Sequence, residues 1–272
     1  MDKVKICAVC MHSEPSKIDE NLDKTRRFCI KAKLEDAQIV CFPELSITGY
    51  VLKDPQKVVQ GHSAQQIIDS LISISKELGL IIIAGIIELE SHFSYITQVI
   101  VDDHGLIGKY RKTHLSPLEK GSYNAGNKID IYYAKDISFG IQLCYETHFP
   151  ELSTIMAIKG AELIFAPHAS PRGSPKDKLN SWLRHLKARA FDNGIFLVAC
   201  NQVGKTKESF YFPGVALAID PQGRIIKKLL TEEEDMLVVN IDKDLLLNVR
   251  SNKMGFFLPN RRPELYKELI KK

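Results

Sequence analysis

Three residue types that together can move a proton and attack a carbonyl carbon stand at the ends of expected strands. They are Glu44 after QIVCFP, Lys112 in GKYRKTHL and Cys144 after GIQL. A thiol at neutral pH is mostly protonated, so a cysteine nucleophile needs a base or a local positive charge to supply thiolate. A carboxylate such as Glu44 can be that base when burial raises its pKa toward the working pH. Attack on an amide carbon creates an oxyanion, which a lysine ammonium such as Lys112 and the backbone N–H after the nucleophile can stabilise. A helix expected over FPELSTIMAIKG follows Cys144 closely, and its N-terminal dipole is expected to favour thiolate further. Each residue also has a plainer use. Free cysteine packs like a small hydrophobe, and a lone glutamate or lysine is most often a solvated surface group. Spacing alone does not bring the three together.

The elements that would hold them alternate along the chain. VKICAVCM reads as a buried strand, and Ile18, Leu22, Phe28 and Ala32 then recur at roughly helical spacing across SKIDENLDKTRRFCIKAKLEDA. QIVCFPE is a short strand stopped by Pro43, and SAQQIIDSLISISKELG is a helix with a Ser63 start and a Gly79 stop. LGLIIIAGIIEL, YITQVIVDDHG and LIGKYRKTHL read as strands, with a turn from Asp102 to Gly105, and KIDIYYAKDISFGIQLCYE reads as a further strand pair. A helix from Phe149 to Gly160, a strand ELIFAPHA, one helix around DKLNSWLRHLKARAFDN and a strand IFLVACNQ come next. Strand runs in GVALAIDPQGRIIKKLL and DMLVVNID complete the order. Alternating strands and helices argue for α/β layering, and the hairpin-like pairs make the sheets mixed. Glu44, Lys112 and Cys144 then fall at strand ends, where a rigid scaffold can present them on turns.

Composition narrows the class. A chain of 272 residues with 44% hydrophobic and 26% charged residues reads as globular, and without repeats or a linker a single domain over 1–272 is expected. The net charge of +4 is modest, and no basic block with interleaved aromatics suggests a nucleic-acid partner. The start, MDKVKICAVCMHSEP, lacks the pattern of a secretory signal, and the longest apolar run, LGLIIIAGII, falls short of the ~20 residues that span a bilayer. No membrane partner and a cytoplasmic location with reduced thiols are therefore expected. Cys7 and Cys10 form a C-x-x-C inside a strand with no second pair to complete a zinc site, and they read as structural. No H-E-x-x-H, G-x-G-x-x-G or Walker loop is present, so no metal or cofactor is expected.

Three segments carry a resemblance: FPELSITGY (Phe42 to Tyr50), YRKTHL (Tyr110 to Leu115) and LCYETHFPE (Leu143 to Glu151). In order and separation they are similar to the signature segments of the nitrilase superfamily of carbon–nitrogen hydrolases, and the likeness runs from ICAVCM to NRRPELY. The resemblance implies an α/β fold of the four-layer αββα sandwich type with mixed sheets, subunits that pair into homodimers, and no metal or organic cofactor. It implies Glu44 as general base, Lys112 as the oxyanion-stabilising lysine and Cys144 as nucleophile. Glu119, seven residues after Lys112, looks like the second glutamate of many members, which orients substrate and lysine, and the backbone N–H of Tyr145 would complete the oxyanion site. One departure is Cys10, where many relatives carry glutamine before the methionine.

The triad is shared by enzymes acting on different C–N bonds. Tyr145-Glu146-Thr147 follows the cysteine where nitrilases proper carry Trp-Glu-Asn, which favours an amide or ureido substrate. APHASPRGSP, RAFDNGIFLVACNQVG and SNKMGFFLPNRRPELY look most like the N-carbamoylputrescine amidase-like group, although the polyamine-pathway member has tryptophan where Tyr145 stands. His148 and Arg172 could meet a substrate carboxylate, since arginine binds carboxylates bidentately, or be surface residues. Asn201 could orient substrate or tie down a loop. Trp182 and Arg189, seven apart on one expected helix face, suggest packing for the indole. The expected function is hydrolysis of a small linear amide or N-carbamoyl compound through a cysteine thioester. Nitrilase or acyl-transfer chemistry on the same triad, or a non-catalytic relative that binds a metabolite or partner, are the alternatives.

Overall fold

The computed structural model describes residues 3–270. The first half builds strand β1 (Lys3–Cys10), helix α1 (Ile18–Leu34), β2 (Ile39–Cys41), the short α2 (Pro55–Val58), α3 (Ala64–Leu78), and β3 (Ile81–Glu90), β4 (Phe93–Val101) and β5 (Leu106–Arg111). Helix α1 buries Ile18, Asn21, Thr25, Phe28, Cys29 and Ala32, a stripe at spacings of three and four, and carries Asp19 and Glu20 in its first turn and Lys31 and Lys33 in its last, matching the helix dipole. Ser63 and Gln66 form a reciprocal capping box at the start of α3, and Gly79 ends it at φ 66°.

The second half adds β6 (Ile131–Ala134), β7 (Ile137–Ile141), α4 (Pro150–Ile158), β8 (Leu163–His168), α5 (Pro175–Leu183), α6 (Leu186–Asn193) and β9 (Phe196–Asn201). Then come the two-residue β10 (Gly204–Lys205) and β11 (Tyr211–Phe212), β12 (Gly214–Ile219), β13 (Ile225–Thr231), β14 (Asp235–Asp242) and α7 (Lys243–Ser251). Two six-stranded sheets result, ordered β14-β1-β2-β3-β4-β5 and β13-β12-β9-β8-β7-β6. Both mix parallel and antiparallel pairs: β1, β2 and β3 run parallel, as do β7, β8 and β9, with antiparallel strands outside them. Strand β14 returns from the second half to pair with β1, Lys3 opposite Asp242 through Cys10 opposite Asp235.

The layering follows from strand periodicity. Along β9, Phe196, Val198 and Cys200 join the large core between the sheets, while Leu197 and Ala199 join a second cluster with Leu179, Trp182, Leu186 and Ala190 of α5 and α6. Along β12, Ala216 and Ala218 face the first cluster, and Val215, Leu217 and Ile219 the second. Successive side chains on a strand point to opposite faces, so one face meets the other sheet and one meets helices. Cys200 Sγ lies 3.7 Å from the carbonyl oxygen of Cys41, bringing β9 of one sheet against β2 of the other. The αββα sandwich expected above is the observed fold. Cys7 and Cys10 are fully buried in β1, as their structural reading required.

The expected single helix around DKLNSWLRHLKARAFDN is instead two. His185 leaves helical geometry at φ −125°, ψ −39°, between α5 and α6. Its Nε2 lies 3.0 Å from Thr147 Oγ1 and its ring stacks on His148 at 4.4 Å, so a distant contact overrides local helix propensity. Trp182 and Arg189 therefore do not share a helix. Among the described residues no helix is long and apolar enough to cross a membrane.

Candidate active site

Glu44 follows β2 on a turn held from both sheets. Gln98 Nε2 of β4 donates to the carbonyl of Phe42 at 3.0 Å, and Gln202 Nε2, just beyond β9, donates to the carbonyl of Glu44 itself at 2.8 Å. Gly85 of β3 passes directly beneath. A Cβ there would lie 2.1 Å from the Leu45 nitrogen, so no larger residue fits without moving the turn. The side chain is fully buried, and its two oxygens are both used: Oε2 accepts from the Ala169 N–H at 2.9 Å and Oε1 from Lys112 Nζ at 2.7 Å.

Lys112 is the first residue past β5, fixed by its own N–H on the carbonyl of Ile96 at 2.8 Å. Its ammonium also donates to Glu119 Oε1 at 2.8 Å and so sits between two carboxylates. Glu119 is held in turn by the Tyr50 hydroxyl at 3.3 Å on Oε1 and the Ser116 N–H at 2.7 Å on Oε2. The cluster carries one positive and two negative formal charges out of water. Burial, with Glu119 nearby, pushes the Glu44 carboxyl above the usual range despite Lys112 and the Ala169 hydrogen bond. For Lys112 burial works against the charge, but Glu44 and Glu119 outweigh it and keep the ammonium protonated.

Cys144 opens a short 3₁₀ turn, Cys144–His148, with a left-handed φ of 46°. That conformation costs a non-glycine residue on the order of 1–2 kcal/mol and survives because Glu146 over-determines the turn. Its Oε2 accepts from the Leu143 N–H at 2.7 Å. Its Oε1 accepts from Tyr110 OH at 2.8 Å, the Thr113 N–H at 2.7 Å, Thr113 Oγ1 at 2.6 Å and the His114 N–H at 3.3 Å. One buried carboxylate thus ties the cysteine turn to the residues directly after Lys112. Sequence reading passed over Glu146; a charged residue two places beyond Cys144, at the end of an apolar run, was the available signal.

The Cys144 thiol is pushed up to about 12, first by burial, then by Glu44 and Glu119, with Lys112 and Lys178 pulling the other way. The expected dipole assistance from the following helix does not set the balance. Helix α4 begins only at Pro150, past the intervening turn, and the dipole's influence fades within a helical turn. As the second residue of the 3₁₀ turn, Tyr145 has no carbonyl partner for its N–H within that turn, the state an oxyanion donor requires.

Cys144 and Glu119 line a cavity of about 260 Å³, just below the roughly 300–1,000 Å³ usual for small-molecule sites. Tyr145, His148 and Arg172 line it as well. Burial and the nearby Arg189 hold His148 below the usual histidine range, so it lines the wall uncharged at neutral pH. Asn201 does not reach the cavity. Its Oδ1 accepts from the Ser170 N–H at 2.8 Å, and its Nδ2 donates to the carbonyls of Ser170 at 3.0 Å and Pro213 at 2.8 Å, so of its two readings the loop tie is the one its bonds support. Trp182 is buried against His168, ring centres 4.2 Å apart, yet also forms cavity wall. Arg189 supports the cysteine turn from outside, donating to the carbonyls of Thr147 at 3.1 Å and His148 at 3.3 Å. Lys178, unremarked in the sequence, lines the cavity too.

Known proteins agree with this architecture. A nitrilase from Pyrococcus abyssi is 29% identical over 97% of this chain and 99% of its own. An N-carbamoylputrescine amidase from Solanum tuberosum is 28% identical over 93% of this chain and 90% of its own. A mutant Nesterenkonia amidase, solved with butyramide, superposes with a TM-score of 0.83 at 25% identity, covering 98% of this chain and 97% of the other. The carbon-nitrogen hydrolase family model matches residues 5–250, nearly the whole described fold, and the chain belongs to that family.

Proposed function

We propose that the protein is an amidase that hydrolyses the C–N bond of a small linear amide or N-carbamoyl compound, with Cys144 as nucleophile. The observation that carries this reading is the buried Lys112 ammonium clamped between Glu44 and Glu119, the second of which lines the cavity together with Cys144. Glu44 takes the thiol proton as sulfur bonds to the carbonyl carbon. The resulting oxyanion is met by the Lys112 ammonium and the Tyr145 N–H. Glu44 returns its proton to the leaving nitrogen, the C–N bond breaks, and ammonia or an amine departs from a thioester. Water, deprotonated by Glu44, then attacks the thioester carbon, and the thiol leaves with that proton as the acid is released. Glu119 holds the lysine throughout. The amide and carbamoyl amidases among the relatives, and the Tyr145-Glu146-Thr147 sequence, support an amide over a nitrile.

Ammonia release from a panel of linear amides, N-carbamoyl amines and acids, and nitriles tests the proposal. Turnover within the amide or carbamoyl arms is expected to vanish in Cys144→Ala and to fall at least about 1,000-fold in Glu44→Gln, the upper part of what base removal and a mispaired lysine cost. Full turnover by Cys144→Ala would sink it.

A further inference from the structure

The cavity is electrostatically lopsided. Among the described residues Glu119 is the one acid that lines it, and its oxygens are already occupied by Lys112, Tyr50 and Ser116. Two cations, Lys178 and Arg172, line it as well, and among the described residues neither forms an ion pair with a carboxylate. Lys178 Nζ donates to Ser170 Oγ at 2.7 Å and to the carbonyl of Pro171 at 3.0 Å. Both acceptors are neutral, and an ammonium has three donors, so one N–H and the whole charge are left for something in the cavity. Arg172 sits on the loop after β8, its N–H fixed on the carbonyl of Tyr211 at 2.9 Å, with no hydrogen bond from its guanidinium to the described residues. Burial and the neighbouring Arg172 charge hold Lys178 below the usual lysine range, while Cys144 draws it the other way. Two like charges thus line the same cavity as Cys144, Lys178 partly buried and Arg172 exposed to solvent.

The histidines do not dilute this. His168 donates Nδ1–H to the carbonyl of Ala166 at 2.7 Å, and burial holds it neutral well below the usual range. His185 is held down to about 4, by burial first and then by His148 and Arg189. The charge at this end is therefore that of Lys178 and Arg172.

We infer that the amide substrate bears a carboxylate on the side away from the scissile bond, received by Lys178 together with Arg172 while the amide carbon lies against Cys144. This rests on the amidase reading and makes it narrower: monoamides of short dicarboxylic acids and N-carbamoyl amino acids are accepted, and amides carrying a free ammonium are rejected by like charge. A charge-assisted contact of this kind corresponds to roughly 10- to 100-fold in affinity.

The test separates the anion site from the chemistry. Binding to Cys144→Ala protein is measured by calorimetry for succinamate and glutaramate, their methyl-ketone analogues, and their aminoalkyl counterparts. N-carbamoyl-β-alanine beside propylurea forms the carbamoyl arm. The anionic compounds are expected to bind roughly 10- to 100-fold tighter than their neutral analogues, with the cationic ones weakest, and the ratio should shrink with added salt. Adding Lys178→Met should bring the ratio to within about threefold, Lys178→Arg should keep part of it, and Arg172→Gln should lower it partway. Because Lys178→Met also frees Ser170 and Pro171, its fold is checked by melting, and Arg172→Gln gives a reading that does not disturb that tie. Equal binding of charged and neutral partners, or an unchanged ratio in a folded Lys178→Met protein, overturns the inference. Turnover of the same compounds tells the two ideas apart: Cys144-dependent hydrolysis without charge preference refutes the carboxylate site alone, and charge-selective binding without hydrolysis refutes the amidase reading alone. The two carboxylate sources are distinguished by which arm, dicarboxylic monoamide or N-carbamoyl amino acid, is both bound and cleaved.

Discussion

Replacing Glu146 by glutamine keeps size and shape and removes one acceptor. In the native protein Oε1 receives four hydrogen bonds and Oε2 one, from Tyr110, Thr113 twice, His114 and Leu143. A glutamine oxygen can keep the crowded site, but its NH₂ then faces the Leu143 N–H, donor against donor in a fully buried place. The Leu143 bond is lost with no water to replace it, and the remaining four lose their ionic partner. Leaving a buried donor unpaired costs about 1–3 kcal/mol, and weakening charge-assisted bonds adds to it, for about 2–4 kcal/mol together. For a chain of this length that is a fall in Tm of roughly 5–15 °C. The bond lost is the one that holds the turn with Cys144 at φ 46°, so iodoacetamide labelling of Cys144 and kcat should change with stability, kcat by at least about tenfold. Thr113→Val, which removes one donor and leaves the carboxylate and Leu143 intact, should cost about 1 kcal/mol and little activity. Differential scanning fluorimetry and steady-state kinetics on both variants settle the matter. A Glu146→Gln protein that melts and turns over like wild type refutes the claim that this carboxylate holds the cysteine turn.

Gly85→Ala forces a methyl to within 2.1 Å of the Leu45 nitrogen; overpacking of this kind costs about 1–3 kcal/mol, and displacement of Glu44 should reduce kcat at least about tenfold, read by denaturant titration and kinetics. Since the thiol is pushed up to about 12, iodoacetamide modification of free Cys144 should keep rising from about pH 8 to pH 10 without a plateau; a plateau near pH 7 would show a thiolate that the buried site does not support. Lys112→Met leaves Glu44 and Glu119 facing each other without their cation, a loss of about 3–5 kcal/mol. One of the pair then holds a proton tightly in the folded state, so its folded pKa lies above its unfolded value. The variant should therefore be steadiest in acid, below the unfolded carboxyl value, and lose stability as pH rises through the folded one, measured by urea unfolding across that range.

Much of this site was legible because its parts lie beside strong local signals. Glu44, Lys112 and Cys144 each follow a strand, and the capping box of Ser63 and Gln66 marks the start of α3. What escaped depends on contacts far apart in sequence. The break at His185 is set by Thr147 and His148, which belong to another turn. Lys178 lies in PKDKLNSW, where nothing local separates a solvated lysine from one held over a cavity by Ser170 and Pro171. Asn201 ends an apolar strand in a way that suits a ligand and a loop tie equally, and only its three backbone partners decide. The direction of the Cys144 shift was misjudged for the same reason: the helix after it was readable, the depth at which Glu44 and Glu119 surround it was not.

That shift bears on how the proposed amide hydrolysis would proceed. The same burial that pushes Cys144 up also pushes Glu44 up, so proton transfer from sulfur to carboxylate in the empty site would place a thiolate beside Glu119 and withdraw the charge that Glu44 shares with Lys112. In the empty site Cys144 is consequently held as the thiol and Lys112 as the ammonium. In the proposed reaction a bound amide would change the balance, because its carbonyl oxygen would become an anion as the C–S bond forms and would draw on the Lys112 ammonium that Glu44 and Glu119 hold. As Glu44 gained the proton it would cease to compete for Lys112, and the lysine would be freed for the oxyanion in the same step. Glu119, anchored independently by Ser116 and Tyr50, would keep the ammonium in position through that exchange. On the proposed mechanism, a second carboxylate on one lysine, costly to the fold by itself, would thus let the first give up its half of the ion pair without the lysine leaving the site.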